Sequence, residues 1–559
     1  MLSSIPLPAI DTLSLTQQVA QLFVVRASGF LFDPQIRYPD WEPPLDRLKY
    51  YLSDLGVGGV ILVDGSAAEL MLRTQQLQSW ASIPLLISAD VEEGVGQRFP
   101  GATWFPPPMA IAEIARRDFS LALSYAEQMG EFTAKEGLAI GLNWILAPVV
   151  DVNNNADNPV INVRAFGQDP EIVAALATAF MRGIQKYPAL STAKHFPGHG
   201  DTSVDSHQEL PVLSHSPERL AAIELPPFQQ AIAAGVDAVM SAHLLIPHWD
   251  DTQPATLSRR ILTEQLRQKM GFDGLIVTDA LVMGAISKRY DPGEAPILAI
   301  EAGADIILMP VDPAAAIESV CSAVEQGRLS PDRIRESVER IWHAKHKVFD
   351  RPALIEPSPA FASPLLAPLS HLATPAASHA SEQILQHSMK VGGPLPISIP
   401  PDTLLRNVVV LDDLFRSRFL DQQTPAIVEP TQRGYQLQIV VRGASPHPNS
   451  LSRNLDSDFS EQFKFCIDLL QIFVRGNPFG TSSALTQLAR QWLNHLLNSD
   501  RLQAIVIYGS PYTLEEFLPH LPSRIPYVFS YGQTPHAQSL AMSTLFGTSH
   551  SSGSNSQFL

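Results

Sequence analysis

The chain has 559 residues, 45% of them hydrophobic and 17% charged, with a formal net charge of −17. That length exceeds one compact core, so two domains are expected, and the acidic balance argues against non-specific binding to nucleic acid or an anionic membrane surface. Only Cys321 and Cys466 occur, which excludes a disulfide framework and a thiolate metal centre.

The N-terminal Met-Leu-Ser-Ser-Ile-Pro-Leu-Pro carries neither a basic stretch leading into an apolar core nor a lipidation cysteine. No run of about 18 apolar residues suggests a membrane span. A cytoplasmic monomer is the expectation. Between residues 20 and 310 one pattern recurs: a short apolar run, a polar residue at its end, then a helical stretch. The runs are Leu22–Val25, Val57–Val63, Leu85–Ala89, Asn143–Val150, Leu190–Ala193, Ala238–Ala242, Leu275–Thr278 and Asp305–Met309. Amphipathic stretches Ser66–Trp80, Leu121–Leu138, Pro170–Gln185 and Pro217–Ala234 lie between several of them. Eight alternations predict a (β/α)8 TIM barrel over residues 1–350, with an open doubly wound sheet as the competing arrangement.

Residues 351–378 hold six prolines among alanines and serines and are assigned to a linker. Further apolar runs follow at Asn407–Leu411, Leu437–Val441, Ala504–Tyr508 and Tyr527–Ser530. With helices expected at Phe459–Val474 and Ala484–Leu497, they predict a smaller α/β sandwich domain over 379–546. The Ser/Gly-rich tail 547–559 is expected to be disordered.

A barrel demands that its chemistry sit at the C-terminal ends of different strands. Asp64, Asp90, Asp151, Lys194 with His195, His243 and Asp279 each follow an apolar run almost directly. A loop-starting aspartate explains one such position; it does not explain six. The richest segment is Lys194–His207, where a glycine- and proline-broken loop packs a lysine, three histidines and two aspartates. There Asp205 stands two residues before His207. An aspartate beside an imidazole fixes its tautomer and makes a proton donor and acceptor. His195, His199, Asp201, Asp205 and His207 also include possible metal ligands, although their spacing matches no metal signature. A solvated loop without a role is the third reading. Asp279 is either a nucleophile pointing into the barrel mouth or a cap on a helix over Ala280–Ile286. Lys194, His195, Arg98 and Arg164 would gather donors around Asp90 and Asp279, as a polyhydroxylated ligand requires. Arg164 has the alternative of a surface ion pair. Glu92 and Glu93, next to Asp90, are expected to turn outward or to pair.

These motifs resemble glycoside hydrolase family 3, in its bacterial β-N-acetylglucosaminidase branch. The resemblance rests on Leu15–Leu22, Ala89–Gly94 with Gln97-Arg98-Phe99, Ala147–Val152, Arg164–Gly167, Lys194–His207 and Val277–Leu281. It implies that Asp279 is the nucleophile of a retaining mechanism and that His207, assisted by Asp205, is the acid/base. It further implies that Asp90, Arg98, Arg164, Lys194 and His195 hold the sugar. The terminal Asp-x-His separates this branch from the family's β-glucosidases and β-xylosidases. Two positions depart from the pattern: Glu93 stands where a glycine is usual, and Ala280 follows the nucleophile position. The implied activity is exo-acting removal of terminal β-linked N-acetylglucosamine, from peptidoglycan fragments during recycling, with no cofactor and no metal. The rivals are a phosphorylase on the same site, a β-glucosidase or β-xylosidase, a metal-dependent hydrolase, and a sugar-binding protein without catalysis.

Overall fold

The computed structural model describes residues 7–350, 367–401, 403–414, 417–442, 466–475 and 482–547. Most of the expected linker and all but the first residue of the expected tail therefore lie outside the described residues. The chain divides into two compact units, Met1–Ser381 and Glu382–Leu559. Within the first, residues 375–378 are not linker-like: they begin the helix Pro375–Ser388.

Among the described residues, the first unit carries eight strands: β1 (Phe23–Ser28), β2 (Gly59–Val63), β3 (Leu86–Ala89), β4 (Trp144–Ile145), β5 (Thr192–Phe196), β6 (Ala238–Ser241), β7 (Leu275–Val277) and β8 (Ile307–Leu308). They form two parallel sheets, β4-β3-β2-β1-β8 and β5-β6-β7. Bridges Trp144↔Leu190 and Val149↔Lys194 join β4 to β5, and Val277↔Ile306 joins β7 to β8. The result is an eight-stranded barrel in sequential order. Strands such as β3, β6 and β7 are buried along their whole length, which explains why they read as continuous apolar runs rather than alternating ones. The fourth run yields only a two-residue strand because Pro148 has no N–H to give the ladder. Its chain nonetheless stays beside β5, with Val150 N–H donating to the Lys194 carbonyl at 2.8 Å.

Helix boundaries follow local chemistry. Pro170–Gln185 is helical over the expected span, with Asp169 accepting from the amides of Glu171 and Ile172 and Pro170 in the first turn. The stretch Pro217–Ala234 instead splits into Pro217–Ala222 and Leu225–Ala233. Pro226 and Pro227 have no N–H for the preceding turn, so the first helix stops and a second begins with both prolines in its opening turn.

At the N-terminal end of the barrel, the fully buried Asp305 pairs with Arg267 (2.6 Å), Arg340 (3.1 Å) and Arg333 (3.5 Å), and accepts the Ile276 amide at 3.0 Å. This cluster ties β7, β8 and the closing helix Pro331–Phe349 together at the end away from the strand tips.

Among the described residues, the second unit holds a six-stranded sheet in the order β11-β10-β12-β13-β14-β9. Its strands are β9 (Lys390–Gly392), β10 (Leu405–Leu411), β11 (Tyr435–Val441), β12 (Ile467–Val474), β13 (Leu502–Gly509) and β14 (Tyr527–Ser530). All pairs are parallel except β9 on β14. Helices Pro425–Gln432, Ser482–Asn498, Pro511–Phe517 and Pro535–Phe546 complete an α/β sandwich over a core that includes Val409, Leu469, Val506, Tyr508 and Leu545. The expected helix Phe459–Val474 is corrected here. Its second half is β12, a central strand buried almost throughout, and its first part, 459–465, lies outside the described residues. An apolar run buried on both faces has no strand periodicity to show, and a helix fits it equally well. Among the described residues, no helix is long and apolar enough to cross a membrane.

Candidate active site

The strand tips carry the charged cluster. Asp90 follows β3, and its carboxylate accepts from Lys194 Nζ on β5 at 2.6 Å. Lys194 Nζ also lies 2.7 Å from Glu92 Oε1. Arg164 completes the group, with Nε and Nη2 each 2.7 Å from a different oxygen of Glu92. Arg98 Nε donates to the Asp90 carbonyl at 3.0 Å. Glu92 is therefore the buried hub that the two cations share, and Arg164 is an internal residue rather than a surface ion-pair partner. Glu93 faces another way, accepting from Trp104 Nε1 at 3.0 Å. Burial works against every charge here, yet the pairing outweighs it. Lys194 and Arg98 hold Asp90 below the ordinary carboxylate range, Arg164 and Lys194 hold Glu92 well below it, and the two carboxylates keep Lys194 protonated. Asp90 keeps 28% of its side chain exposed while Lys194 keeps 1%. The carboxylate is thus offered to a ligand and the ammonium supports it.

His195, next to Lys194, gives its ring Nδ1 to Asp151 Oδ2 at 2.8 Å, and its amide donates to Oδ1 at 3.1 Å. Asp151, at the end of the fourth run, is fully buried and also accepts the His199 amide at 2.7 Å. Burial pushes its carboxyl up, but the His195 ring and these N–H bonds hold it below the usual range. An ionised Asp151 places the proton of a neutral His195 on Nδ1 and orients the ring.

The rest of the loop sorts into two groups. His199 is buried, with Nε2 2.9 Å from Ser206 Oγ and Nδ1 2.9 Å from Thr202 Oγ1, and burial pushes its pKa down to about 4. It is a neutral structural histidine. Asp201 pairs with His215 at 2.9 Å and Arg219 at 3.4 Å. Among the described residues no group of three or more His, Cys, Asp or Glu is arranged to hold a metal ion. The root of the loop is packed tightly: a Cβ on Gly200 would meet the Val152 carbonyl oxygen at 1.9 Å, so only glycine fits there. Asn158 Nδ2 bonds the carbonyls of His199 (2.8 Å) and Gly200 (3.0 Å). Asp205 and His207 lie beyond this fixed root. His207 Nδ1 is 2.8 Å from Asp205 Oδ1, and its amide donates to the same oxygen at 2.9 Å.

Asp279 stands two residues beyond β7. Its Oδ1 accepts the Ala280 amide at 2.7 Å, and the nearest helix, Gly284–Ser287, starts too late for Asp279 to cap it. Burial would raise its pKa, but the rings of His243, His195 and His207, with the Ala280 amide, hold the carboxyl below the ordinary range. The Gly284 amide donates to the His207 carbonyl at 3.0 Å, which ties the His207 segment to the segment that follows Asp279. His243, at the end of β6, is fully buried. Its Nε2 reaches the Ala280 carbonyl at 3.0 Å and its Nδ1 reaches Thr256 Oγ1 at 2.7 Å. Burial lowers its pKa, so a neutral ring donates through Nε2 and orients the peptide next to Asp279.

The strand tips thus gather Asp90, Lys194, Arg98 and Arg164 in one cluster, and His195, His207 and Asp279 in another. Position at a run end marks Asp151 and His243 in the sequence without giving either a role, and Glu92, expected to turn outward or to pair, pairs with Lys194 and Arg164. Asp64 at the tip of β2 turns instead to Arg37, 3.8 Å away. The arrangement offers an ionised carboxylate beside imidazoles that can carry protons, next to a charged, partly open patch suited to hydroxyl groups.

The chain is 34% identical over 341 residues to beta-hexosaminidase A of Pseudoalteromonas piscicida, covering 55% of this chain and 56% of that protein. It is 32% identical over 310 residues to a beta-N-acetylglucosaminidase/beta-glucosidase of Cellulomonas fimi, covering 54% of each. It spans about half the length of these two relatives. A solved glycoside hydrolase family 3 beta-N-acetylglucosaminidase from Paenibacillus sp. str. FPU-7 superposes with a TM-score of 0.75 at 30% identity, over 96% of this chain and 97% of that one. The model of the glycosyl hydrolase family 3 N terminal domain matches residues 14–344, and that of the bacterial glycosyl hydrolase family 3 C-terminal domain matches 399–547. Barrel and sandwich are both accounted for, and the chain belongs to glycosyl hydrolase family 3, a family of enzymes that hydrolyse glycosidic bonds.

Proposed function

We propose that this protein is an exo-acting, retaining β-N-acetylglucosaminidase. The observation that carries the reading is the ionised Asp279 facing three imidazoles, one of them, His207, braced by Asp205. Asp279 attacks the anomeric carbon and forms a covalent glycosyl-enzyme while His207 gives a proton to the leaving oxygen. His207 then takes a proton from water as the water oxygen displaces Asp279, which restores both groups. An Asp/His pair thus stands where most retaining glycosidases place a second carboxylate. Asp90, Arg98, Arg164, Lys194 and His195 hold the hydroxyls of the terminal sugar. The names of the relatives favour an N-acetylated sugar, and cell-wall fragments are the natural source proposed for it. A cytoplasmic setting belongs to this reading, with Cys321 and Cys466 as free thiols.

The test is product identity from p-nitrophenyl β-N-acetylglucosaminide, with and without inorganic phosphate. Free N-acetylglucosamine in both samples is expected. Because an imidazole does not repel an incoming anion, phosphate could instead take the sugar; N-acetylglucosamine 1-phosphate would replace the reading with a phosphorylase. Turnover of the glucoside or xyloside alone would move the sugar preference.

A further inference from the structure

The segment that follows Asp279 is fastened to the barrel wall. The N–H groups of Leu281 and Val282 donate to the carbonyls of Leu308 (3.0 Å) and Met309 (3.2 Å), at the end of β8 and just past it. Met283 N–H turns back to the Ala280 carbonyl at 3.0 Å, and the short helix Gly284–Ser287 begins there. Few residues, all of them tied down, separate Asp279 from Gly284.

Across from this segment, residues 205–209 form one compact turn. The amides of Gln208 and Glu209 both donate to the Asp205 carbonyl at 3.0 Å, while the amide and ring of His207 both meet Asp205 Oδ1. Wherever this turn is placed, the Asp205–His207 pair goes with it.

Two neighbouring carbonyls of the turn are held from the Asp279 side. The Gly284 amide donates to the His207 carbonyl at 3.0 Å, and Lys288 Nζ donates to the Gln208 carbonyl at 2.9 Å. The seam is close enough to depend on glycine. A Cβ on Gly284 would meet the carbonyl oxygens of Gln208 at 2.7 Å and His207 at 2.9 Å, and Lys288 Cε at 3.1 Å. The bare Cα therefore serves twice: it lets the two backbones approach, and it leaves room for the Lys288 stem to reach Gln208. A lone exposed lysine on a carbonyl would be ordinary surface chemistry. Here it completes a contact whose other half is the buried Gly284.

We propose that Gly284 and Lys288 are positioning residues that set the separation between His207 and Asp279, an inference that rests on reading those two as acid/base and nucleophile. They reference the turn that carries the proton donor to the wall that carries the carboxylate. Proton transfer needs its donor within hydrogen-bond reach of the leaving oxygen, and a misplacement of about 1 Å costs about 100-fold. Attack by Asp279 has no such dependence on the turn. Loosening the seam therefore penalises leaving groups that need a proton and spares those that do not.

The experiment measures kcat/KM on 2,4-dinitrophenyl and phenyl β-N-acetylglucosaminides, the first with a leaving group that departs unaided and the second with one that needs protonation. The enzymes are wild type, Lys288→Met, Lys288→Arg, Gly284→Ala and His207→Ala. The dinitrophenyl-to-phenyl ratio is expected to rise about fivefold in Lys288→Met and about tenfold in Gly284→Ala, and to stay near wild type in Lys288→Arg. Because the ratio is internal to each preparation, partial misfolding does not move it, and the exposed Lys288 is replaced without loss of the fold. A ratio that rises in His207→Ala but is unchanged in Lys288→Met, or in Gly284→Ala, overturns the seam and leaves the acid role intact. A ratio unmoved by His207→Ala overturns the acid role and the seam with it. If wild type cleaves only glucosides, the N-acetyl assignment has failed, and the corresponding aryl β-glucosides decide the seam by the same criterion. A protein inert toward both series overturns both proposals.

Discussion

Arg164 grips Glu92 with two hydrogen bonds, Nε and Nη2 each 2.7 Å from a different carboxylate oxygen. Lys194 reaches the same carboxylate at 2.7 Å, so one buried anion balances two buried cations before Asp90 adds the second negative charge. Removing the hub should cost more than removing an ordinary surface partner. Glu92→Gln is expected to destabilise the barrel by about 3–5 kcal/mol, because it strands charge in a desolvated place. KM should rise as Lys194 and Arg164 lose their alignment. Urea denaturation with steady-state kinetics checks both; a change below about 1 kcal/mol with normal KM would mean the hub carries no strain.

Asp279→Asn keeps the shape of the carboxylate and removes its nucleophilicity. Its turnover is expected to fall at least about 1,000-fold while N-acetylglucosamine still binds. Calorimetry on the variant separates the two effects. Near-normal turnover would dismiss Asp279 as nucleophile.

His207→Ala removes the proposed proton donor, whose loss should cost about 100–10,000-fold on natural disaccharides. The first step on p-nitrophenyl glycosides should suffer less, since nitrophenolate leaves without a proton. Asp205→Asn should shift in the same direction by a smaller factor, because it weakens the 2.8 Å bond that orients the ring and leaves the imidazole in place. Pre-steady-state burst measurements on both substrate types give the comparison, and equal losses would count against the acid role.

Lys345 tests the fold rather than the site. It is fully buried on the closing helix, with Nζ 2.7 Å from Gln21 Oε1, and burial pushes its pKa down to about 7. The unfolded chain holds this proton up to the ordinary lysine range near 10.5, so between pH 7 and about 10.5 it binds more protons than the folded one. Stability should therefore rise with pH across that window, with a contribution of up to about 1.4 kcal/mol per pH unit from this group. Lys345→Met should remove that slope and be the more stable form at and below pH 7. Denaturation midpoints for both proteins from pH 6 to about 10 test it.

Local sequence was enough for the barrel and for most of the groups at its mouth. Each strand of the barrel overlaps an apolar run of the sequence, and each such signal is carried by neighbours in the chain. Pro170–Gln185 shows the same economy: an aspartate cap, a proline and a helical period mark its start and length. Where a signal was ambiguous in itself, the reading failed, as at β12, whose two buried faces leave no alternation to separate strand from helix.

Only the tertiary structure decided who pairs with whom. Glu92 and Arg164 are 72 positions apart, and nothing local says that Glu92 rather than the equally buried Glu93 meets it. Asp151 on His195 and His243 on the Ala280 carbonyl are likewise contacts between segments that meet only when strand tips converge. For the barrel, the sequence by itself determined where strands form and which ionisable groups stand near their ends, because periodicity and loop chemistry are short-range. The charge state and direction of each group depend on burial and on partners from other strands, and barrel closure alone supplies those.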